Sequence, residues 1–397
     1  MNLKTDPVVI VSAARTPMGG FLGDFAGLSA AELGAVAIRA ALQRAGLEAD
    51  AVEQVLMGCV LQAGQGQAPA RQAALAAGLA QSAACSTLNK MCGSGMMTVM
   101  LAHDQLLAGS ADVVIAGGME SMSNAPYLLE RARGGYRMGH GRLVDHMFLD
   151  GLEDAYERGQ VMGKFAENVV QSYGFTREQQ DEYAIASLSR AQRAMAEGCF
   201  AAEIAPVTVK VGKDTKQISF DEQPPKARLD KIPTLKPAFH ADGTITAANA
   251  SSISDGAAAL LLMRLSEAER RGLTPLAAIR GHASHAHAPN LFSTAPVGAM
   301  QRLMSRTGWS IDEVDLFEIN EAFAMVPMVA MQDLGIPHER VNVHGGACAL
   351  GHPLGTSGAR VLVTLLHALR QHGLKRGVAS LCIGGGEATA MAIEILN

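Results

Sequence analysis

Aromatic residues make up only 4% of this 397-residue sequence, which has a single tryptophan. It also lacks any run of about 18 uninterrupted apolar residues, so no membrane span is expected. The 33 lysines and arginines are outnumbered by 38 aspartates and glutamates. With this balance the chain has no excess of positive charge that would attract nucleic acid or an anionic membrane, and neither partner is expected. What is abundant is a hydrophobic fraction of 48%, which suits the close-packed layers of an α/β protein.

The six cysteines are scattered and form no CxxC pair. A disulfide framework is therefore not expected, and reduced thiols of a cytoplasmic enzyme fit better. The first apolar run, "VVIV", is soon interrupted by Ser12 and Arg15, which predicts a β-strand and not a signal peptide. The length allows two or more domains with large cores.

Apolar runs alternate with helical patterns in the first part of the chain. The segment 29–46 predicts a helix, because Ser29 and Glu32 have the spacing of a capping box and Gly46 stands at the C-terminal end. Buried strands that alternate with helices indicate a mostly parallel sheet covered on both faces. Strands are predicted at 8–13, 54–60, 112–118, 315–320 and 378–386.

The stretch 121–247 differs, being richer in charge, Gly and Pro, and it predicts one helix, over 176–198, within a long insertion. On either side of it the chain repeats itself. Residues 94–120 align with 357–387, since each has Ser-Gly, a helix, a turn, a strand and a glycine pair before Glu. This similarity predicts a duplicated core, although two helix–strand units can also resemble each other by chance.

Four loops carry candidate chemistry. In "NKMCGSGM", Cys92 comes just before a predicted helix, whose N-terminus favours a thiolate. The glycines there allow a ligand or a second backbone to approach. The glycine-rich "VNVHGGACALGHPLGTSGAR" places His352 before a proline. Cys382 in "CIGGGEA" and Asn320 in "NEAFA" follow strands, where α/β proteins collect ligands. Each also has a plain interpretation, such as a buried thiol or a helix cap.

Together, "NKMCGSGM", "NEAFA", "GGACALGHPLGTSGAR" and "CIGGGEA" resemble the thiolase family, and the resemblance extends from "VVIVSAARTPMG" to the C-terminus. The biosynthetic acetyl-CoA C-acetyltransferase branch is the most similar. The resemblance implies an α/β fold with a duplicated five-layer α-β-α-β-α core and an inserted loop domain. It implies an N-terminal half (1–120 with 248–270), a loop domain (121–247) for CoA binding and oligomerisation, and a C-terminal half (271–397).

The same resemblance implies the roles of the site residues. Cys92 is the nucleophile that accepts the acyl group, and His352 is its base and an oxyanion-hole donor. Cys382 exchanges a proton with the substrate α-carbon. Asn320 holds the oxyanion-hole water, and the backbone of Gly384 contributes to a second hole. The reaction implied is the Claisen condensation of two acetyl-CoA, and its reversal by thiolysis.

Acyl-CoA and CoA are the implied partners, as substrates and not cofactors, and no cofactor is expected. Assembly as a homodimer or homotetramer is implied. The phosphates of CoA need cations, for which Lys226 and Arg228 are candidates. The residues expected near the pantetheine arm are Ser251, Ala247, Met162, Phe239 and Phe323.

The sequence departs from the family pattern at Val161, where histidine is frequent, at Ala248, where glycine is usual, and at Cys348, where an aliphatic residue is common. These changes affect ligand fit or oxidation sensitivity without removing a catalytic group. "GHASHAHAPN" contains three histidines but no carboxylate or cysteine partner, so no metal site is expected there. The resemblance places this segment in a surface loop near the CoA site.

Three alternatives remain open. A degradative 3-ketoacyl-CoA thiolase would use the same residues on longer chains. A carrier-protein-dependent condensing enzyme shares the duplicated core, but Cys382 argues against it. A non-catalytic, lipid-binding member of the fold would have lost a catalytic residue, whereas all four are present.

Overall fold

The computed structural model describes residues 6–396, so positions 1–5 and 397 of the predicted halves lie outside the described residues. The strands are β1 (Val8–Arg15), β2 (Gly19–Gly20), β3 (Gln54–Gly58), β4 (Ala84–Leu88), β5 (Val113–Ser121), β6 (Tyr127–Leu129), β7 (Leu143–Asp145), β8 (Val207–Val211), β9 (Asp214–Ile218), β10 (Ser254–Arg264), β11 (Ala277–Ala286), β12 (Leu316–Ile319), β13 (Arg376–Ile383) and β14 (Glu387–Ile395). The helices are α1 (Ala30–Ala45), α2 (Pro69–Ala76), α3 (Ser94–Ala108), α4 (Met162–Tyr173), α5 (Arg177–Ala196), α6 (Leu265–Arg270), α7 (Ala295–Thr307), α8 (Met325–Leu334), α9 (Ala347–Leu350) and α10 (Leu354–His372).

The sheet consists of two halves with the same topology. The first half has the order β4-β3-β5-β10-β1 and the second β12-β13-β14-β11. In each half a parallel pair, β3 with β5 or β12 with β13, is followed by antiparallel neighbours. In the second half, Val341 forms a parallel bridge to Phe317 of β12. This bridge occupies the position that β4 occupies beside β3 in the first half. The predicted duplication is confirmed by this matching order.

Helices form the other three layers. One buried cluster joins α1 and α2 to the outer face of the first half-sheet. A second cluster joins α3 and α10 to the inner faces of both halves, and a third joins α7 and α8 to the outer face of the second half. The chain therefore has the predicted α-β-α-β-α order, with α3 and α10 in the middle layer.

The predicted local signals are largely confirmed. Ser29 and Glu32 form the capping box of α1, and Gly46 ends it with φ +66°. The apolar runs form β1, β3, β5 and β12, while β13 ends at Ile383 because the next three glycines form a turn. Over residues 6–396 no helix combines the length and the apolar character that a membrane crossing requires.

The stretch 121–247 contains more structure than was predicted. The expected helix is α5, which Thr176 and Gln179 begin with a capping box. The prediction of one helix was wrong, because α4 precedes it and the hairpins β6–β7 and β8–β9 flank the pair. Helix α4 lacks an N-terminal signal, since Val161 makes no side-chain cap there, but its apolar residues have helical spacing and Gly174 ends it in the left-handed conformation.

Candidate active site

Cys92 lies on a tight turn between β4 and α3. Met91 precedes it in the left-handed region, with φ +48°. The Ser94 hydroxyl holds this turn, since it accepts the N–H of Lys90 at 2.8 Å and donates to the carbonyl of Met91 at 2.6 Å. The backbone thus fixes the direction of the Cys92 side chain at the start of α3, as the sequence predicted.

Two backbone donors favour the thiolate form of Cys92. They are the N–H groups of Gly384 and of Cys92 itself, and both lower the pKa of the thiol. Burial outweighs them and raises the pKa of Cys92 to about 11. The side chain is therefore a protonated thiol before substrate enters.

Of the two expected reasons for the glycines beside Cys92, the approach of a ligand or of a second backbone, the structure shows close packing against other protein segments. A Cβ on Gly93 would overlap the side chain of Ile383 in β13, and one on Gly95 would lie 2.8 Å from the backbone nitrogen of Ala359 in α10. Gly358 of α10 meets the backbone of Met96 in the same way. Because α3 and α10 touch through their backbones, the glycines permit packing that sets the depth of both helix N-termini.

Cys382 is buried at the end of β13, two residues before Gly384. Burial raises the pKa of the Cys382 thiol well above its ordinary value, and negative charge on Cys92 raises it further. The turn that carries Cys92 meets the end of β13, because Gly93 packs against Ile383 and Lys90 pairs with Glu387, so both thiols lie in the same region. Two cysteines 290 positions apart in the numbering are thereby brought together.

His352 is buried, and its hydrogen bonds define its tautomer. Its Nδ1 lies 2.5 Å from the Ser357 hydroxyl oxygen, and that hydroxyl donates to the Pro353 carbonyl at 2.9 Å. The hydroxyl must then accept the hydrogen of His352 Nδ1, which leaves Nε2 with a lone pair. Within residues 6–396, Nε2 has no hydrogen-bond partner. Burial, aided by the charge of Arg360, lowers the pKa of His352 to about 3.

Asn320 is fully buried beside His352. Its backbone N–H donates to Ser380 at 3.0 Å, and its side-chain oxygen accepts from Arg360 at 3.3 Å. Arg360 is itself held by Glu318, at 2.7 Å. With the oxygen directed at Arg360, the amide nitrogen faces His352 Nδ1 at 3.5 Å. The amide is thus oriented with its donor toward the site.

The sequence argument missed Glu120, which is fully buried at the end of β5. Its carboxylate accepts the N–H groups of Val60, Leu61 and Gly355 at 2.9, 3.1 and 2.8 Å. It thereby ties the loop after β3 to the beginning of α10. Its counterpart in the repeat is Glu387, which pairs with Lys90 in the turn before Cys92. The repeated "glycine pair before Glu" was the signal for both.

Comparison with known proteins agrees with this geometry. Family profiles match for the thiolase N-terminal domain over residues 8–266 and for the thiolase C-terminal domain over residues 273–395. The chain belongs to the thiolase family. A Cupriavidus necator protein named acetyl-CoA acetyltransferase is 50% identical over 98% of this chain and 99% of its own. The crystal structure of an Ascaris suum thiolase in complex with coenzyme A gives a TM-score of 0.92 at 42% identity, covering 98% of this chain and 100% of that one. A Bacillus anthracis acetyl-CoA acetyltransferase structure gives 0.95 at 40% identity, covering 98% and 99%.

In this thiolase the apolar candidates for pantetheine contact lie together near the cysteines. Phe323 is buried and meets Phe239 edge-on, with ring centroids 5.9 Å apart. Met162 begins α4 and packs in the same region, and its sulfur would lie 3.6 Å from a Cβ on Gly384. Ser251 donates its backbone N–H and its hydroxyl to the Ala322 carbonyl, both at 3.0 Å. Met162 thus lies next to Gly384 and shares a buried cluster with Phe239, Phe323 and Cys382, while Ser251 is hydrogen-bonded to the residue before Phe323.

The remaining candidates are exposed. Ala247 lies on the surface of the thiolase. Lys226 is ion-paired with the buried Glu222, and Arg228 is paired with Asp230 at 2.8 Å. Both cations already have carboxylate partners, so a CoA phosphate would compete with these carboxylates. Their contact with CoA stays a prediction.

Among the three positions where the sequence differs from the family pattern, Cys348 is the most informative. Its backbone N–H donates to Glu321 at 3.0 Å, and its side chain packs in a cluster with Tyr183 and Met328. Burial raises the pKa of the Cys348 thiol well above its ordinary value, and the charge of Glu321 adds to this. The thiol is thus held in its protonated, less nucleophilic form.

Proposed function

We propose that this thiolase is an acetyl-CoA acetyltransferase that condenses two acetyl-CoA to acetoacetyl-CoA and CoA, and catalyses the reverse thiolysis. The names of its relatives support this substrate. The observation that carries the proposal is the packing of the Cys92 turn on the end of β13, since Gly93 meets Ile383, the neighbour of Cys382, and Lys90 pairs with Glu387. A nucleophile and a second acid–base group at one place are what a condensation through an acyl-enzyme requires.

In the first half-reaction the Cys92 sulfur attacks the thioester carbon of acetyl-CoA. Its proton passes to His352 Nε2, which the Ser357 hydrogen bond keeps unprotonated. The carbon–sulfur bond to CoA then breaks, and the proton moves from His352 to the departing CoA sulfur. Because thiol and imidazole are both neutral at rest, charge develops only as the thioester reacts.

In the second half-reaction the Cys382 thiol gives its proton to His352 Nε2, and the resulting thiolate removes a proton from the α-carbon of a second acetyl-CoA. The resulting carbanion attacks the acetyl group on Cys92, a carbon–carbon bond forms, and the bond to the Cys92 sulfur breaks. The proton taken from the α-carbon passes from Cys382 to that sulfur, and His352 returns its proton to Cys382, so all three groups regain their starting states. Burial makes the Cys382 thiolate strongly basic, which suits a weakly acidic α-carbon.

Two groups of donors stabilise the oxygens that become negative. The first consists of the backbone N–H groups of Cys92 and Gly384, which favour negative charge at Cys92 and would donate to the acyl oxygen during acyl transfer. The second group consists of His352, after it has accepted a proton, and a water held by the Asn320 amide. One such donor typically contributes about 3 kcal/mol to lowering the barrier.

We also assign CoA binding to the loop domain 121–247, between the halves 1–120 with 248–270 and 271–397. For assembly we propose a dimer along β4, whose outer edge ends the first half-sheet. The β6–β7 region would join dimers into a tetramer, since Tyr127, Leu143 and Met138 are exposed there. Two thiols that must stay reduced support a cytoplasmic location.

The test is peptide mass spectrometry after brief exposure to acetyl-CoA. We expect an acetyl group on Cys92 in the wild type, none in Cys92→Ser, and normal labelling in Cys348→Ala, a control that removes a different buried thiol. Acetylation at another cysteine, with Cys92 unlabelled, would contradict the assignment.

A second measurement separates the two cysteines. Cys382→Ala should still acetylate Cys92 but should lose the exchange of acetyl-CoA α-hydrogens with deuterium oxide. Turnover of acetoacetyl-CoA compared with an eight-carbon ketoacyl-CoA then tests the substrate, and preference for the longer chain would favour a degradative thiolase.

A further inference from the structure

The histidines of "GHASHAHAPN" have no part in the proposed mechanism. The expectation of a surface loop was wrong, because His282 and His285 lie in β11. Successive side chains of a strand point to opposite faces. His285 packs against Gly298 of α7 on the outer face, whereas His282 points inward to α3. The histidines therefore have separate surroundings.

Helix α3 supplies the carboxylate that the local sequence lacks. Asp104 Oδ1 lies 2.9 Å from His282 Nε2 and 3.0 Å from His103 Nδ1. One nitrogen or oxygen atom from each of the three residues can be chosen so that all three atoms lie within 4.8 Å of one another. In a tetrahedral zinc site with bonds of about 2.0–2.1 Å, neighbouring ligand atoms lie roughly 3.3 Å apart. Asp104 Oδ1 is thus already near ligand spacing from both histidine nitrogens.

We propose that His103, Asp104 and His282 bind one divalent transition-metal ion of the zinc class, with water in the remaining position. Two imidazoles and one carboxylate suit Zn²⁺, Co²⁺ or Ni²⁺ better than Ca²⁺ or Mg²⁺, which prefer all-oxygen sites. Three protein ligands with a fourth position left to water is a known zinc arrangement.

The proposed site would connect the two halves of the fold. His103 and Asp104 belong to α3 of the first half, while His282 belongs to β11 of the second. His103 lies nine residues beyond Ser94, or about 14 Å along the helix that begins beside Cys92. An ion here would stabilise the folded state, because the unfolded chain does not hold these ligands together.

The experiment is a Co²⁺ titration of the full chain, followed by visible absorption and by thermal melting with Zn²⁺. We expect one equivalent of Co²⁺ with weak visible bands and no near-ultraviolet thiolate band, since ligation by Cys92 or Cys382 would produce one. Zn²⁺ should raise the melting temperature. Asp104→Asn and His282→Asn should weaken Co²⁺ binding by about tenfold or more, as even outer-shell changes do.

The matched controls are His285→Asn and His287→Asn, which alter the same segment outside the cluster and should bind as the wild type does. Asp104 is 58% exposed, so its replacement leaves the fold intact. The proposal is overturned if no one-to-one binding is found, if the bands show thiolate ligation, or if Asp104→Asn and His282→Asn bind Co²⁺ like the controls.

Discussion

Replacing Ser357 by alanine removes the hydroxyl that accepts the Nδ1 hydrogen of His352 at 2.5 Å. Both side chains are buried, so water does not readily replace the lost bond. The Asn320 amide nitrogen, 3.5 Å from Nδ1, then becomes the nearest polar group, and it is a donor. It favours the tautomer with hydrogen on Nε2, which cannot accept the proton of Cys92.

The size of the effect follows from this geometry. Leaving one buried hydrogen-bonding group without its partner costs about 1–3 kcal/mol. If that penalty falls on the tautomer that acts as base, acetylation of Cys92 should slow by roughly 5- to 150-fold. The KM for acetoacetyl-CoA should change little, because Ser357 is placed behind the imidazole and not beside the pantetheine candidates.

The assay is single-turnover acetylation of Cys92 together with steady-state thiolysis of acetoacetyl-CoA. Thr356→Ala is the matched control, since its buried hydroxyl donates to the Gly256 carbonyl at 2.7 Å, one position earlier on the same helix. It should lower the melting temperature without slowing acetylation. Acetylation at the wild-type rate in Ser357→Ala, or an equal loss in Thr356→Ala, would refute the positioning role.

Three further changes test the site and its support. Asn320→Ala should keep the fold and lose about 3 kcal/mol of transition-state stabilisation, seen as a kcat reduced by roughly 100-fold, and unchanged turnover would remove Asn320 from the mechanism. The pKa of His352 is about 3 when folded against 6.5 ordinarily, so between these values the unfolded chain binds a proton that the folded chain does not. When the pH is lowered from 6.5 to 5.0, the unfolding free energy of the wild type should therefore fall by about 2 kcal/mol more than that of His352→Asn, as measured by denaturant titration. An equal pH dependence of the two proteins would contradict this. Gly95→Ala should destabilise the fold by about 1–3 kcal/mol, because the new Cβ would press against α10. Gly27→Ala is the control and should be nearly neutral, since a Cβ there meets no atom within 4 Å. Equal melting temperatures of the two variants would argue against the close helix contact.

The sequence was sufficient for features that local rules determine. The capping box of Ser29 and Glu32, the apolar strands and the repeated helix–strand unit were each predicted from neighbouring residues, and each appears where expected. Cys92 was predicted at the beginning of a helix for the same reason.

Features that depend on tertiary contacts were not predictable in this way. Arg360 orients Asn320 from 40 positions away, and Glu120 binds backbone groups of two distant loops. The same limit affected the histidine-rich segment, because the carboxylate beside His282 comes from a helix 178 positions earlier. The sequence left open whether Gly95 makes room for a ligand or for a second backbone, and only the structure shows the backbone of α10 against it.

The duplication explains how two such different loops come to serve one site. Ser94 and Ser357 are equivalent in the repeat, and each hydroxyl donates to a carbonyl of the loop before its own helix, Met91 in one half and Pro353 in the other. What each hydroxyl accepts differs, because Ser94 accepts a backbone N–H and thereby fixes the turn that carries Cys92, whereas Ser357 accepts the imidazole N–H of His352. The equivalent serine hydroxyls thus have different effects, since one fixes a backbone turn in the first half and the other fixes a histidine tautomer in the second. Because α3 and α10 cross in backbone contact, the loops that carry nucleophile and base precede two helices whose N-terminal ends touch.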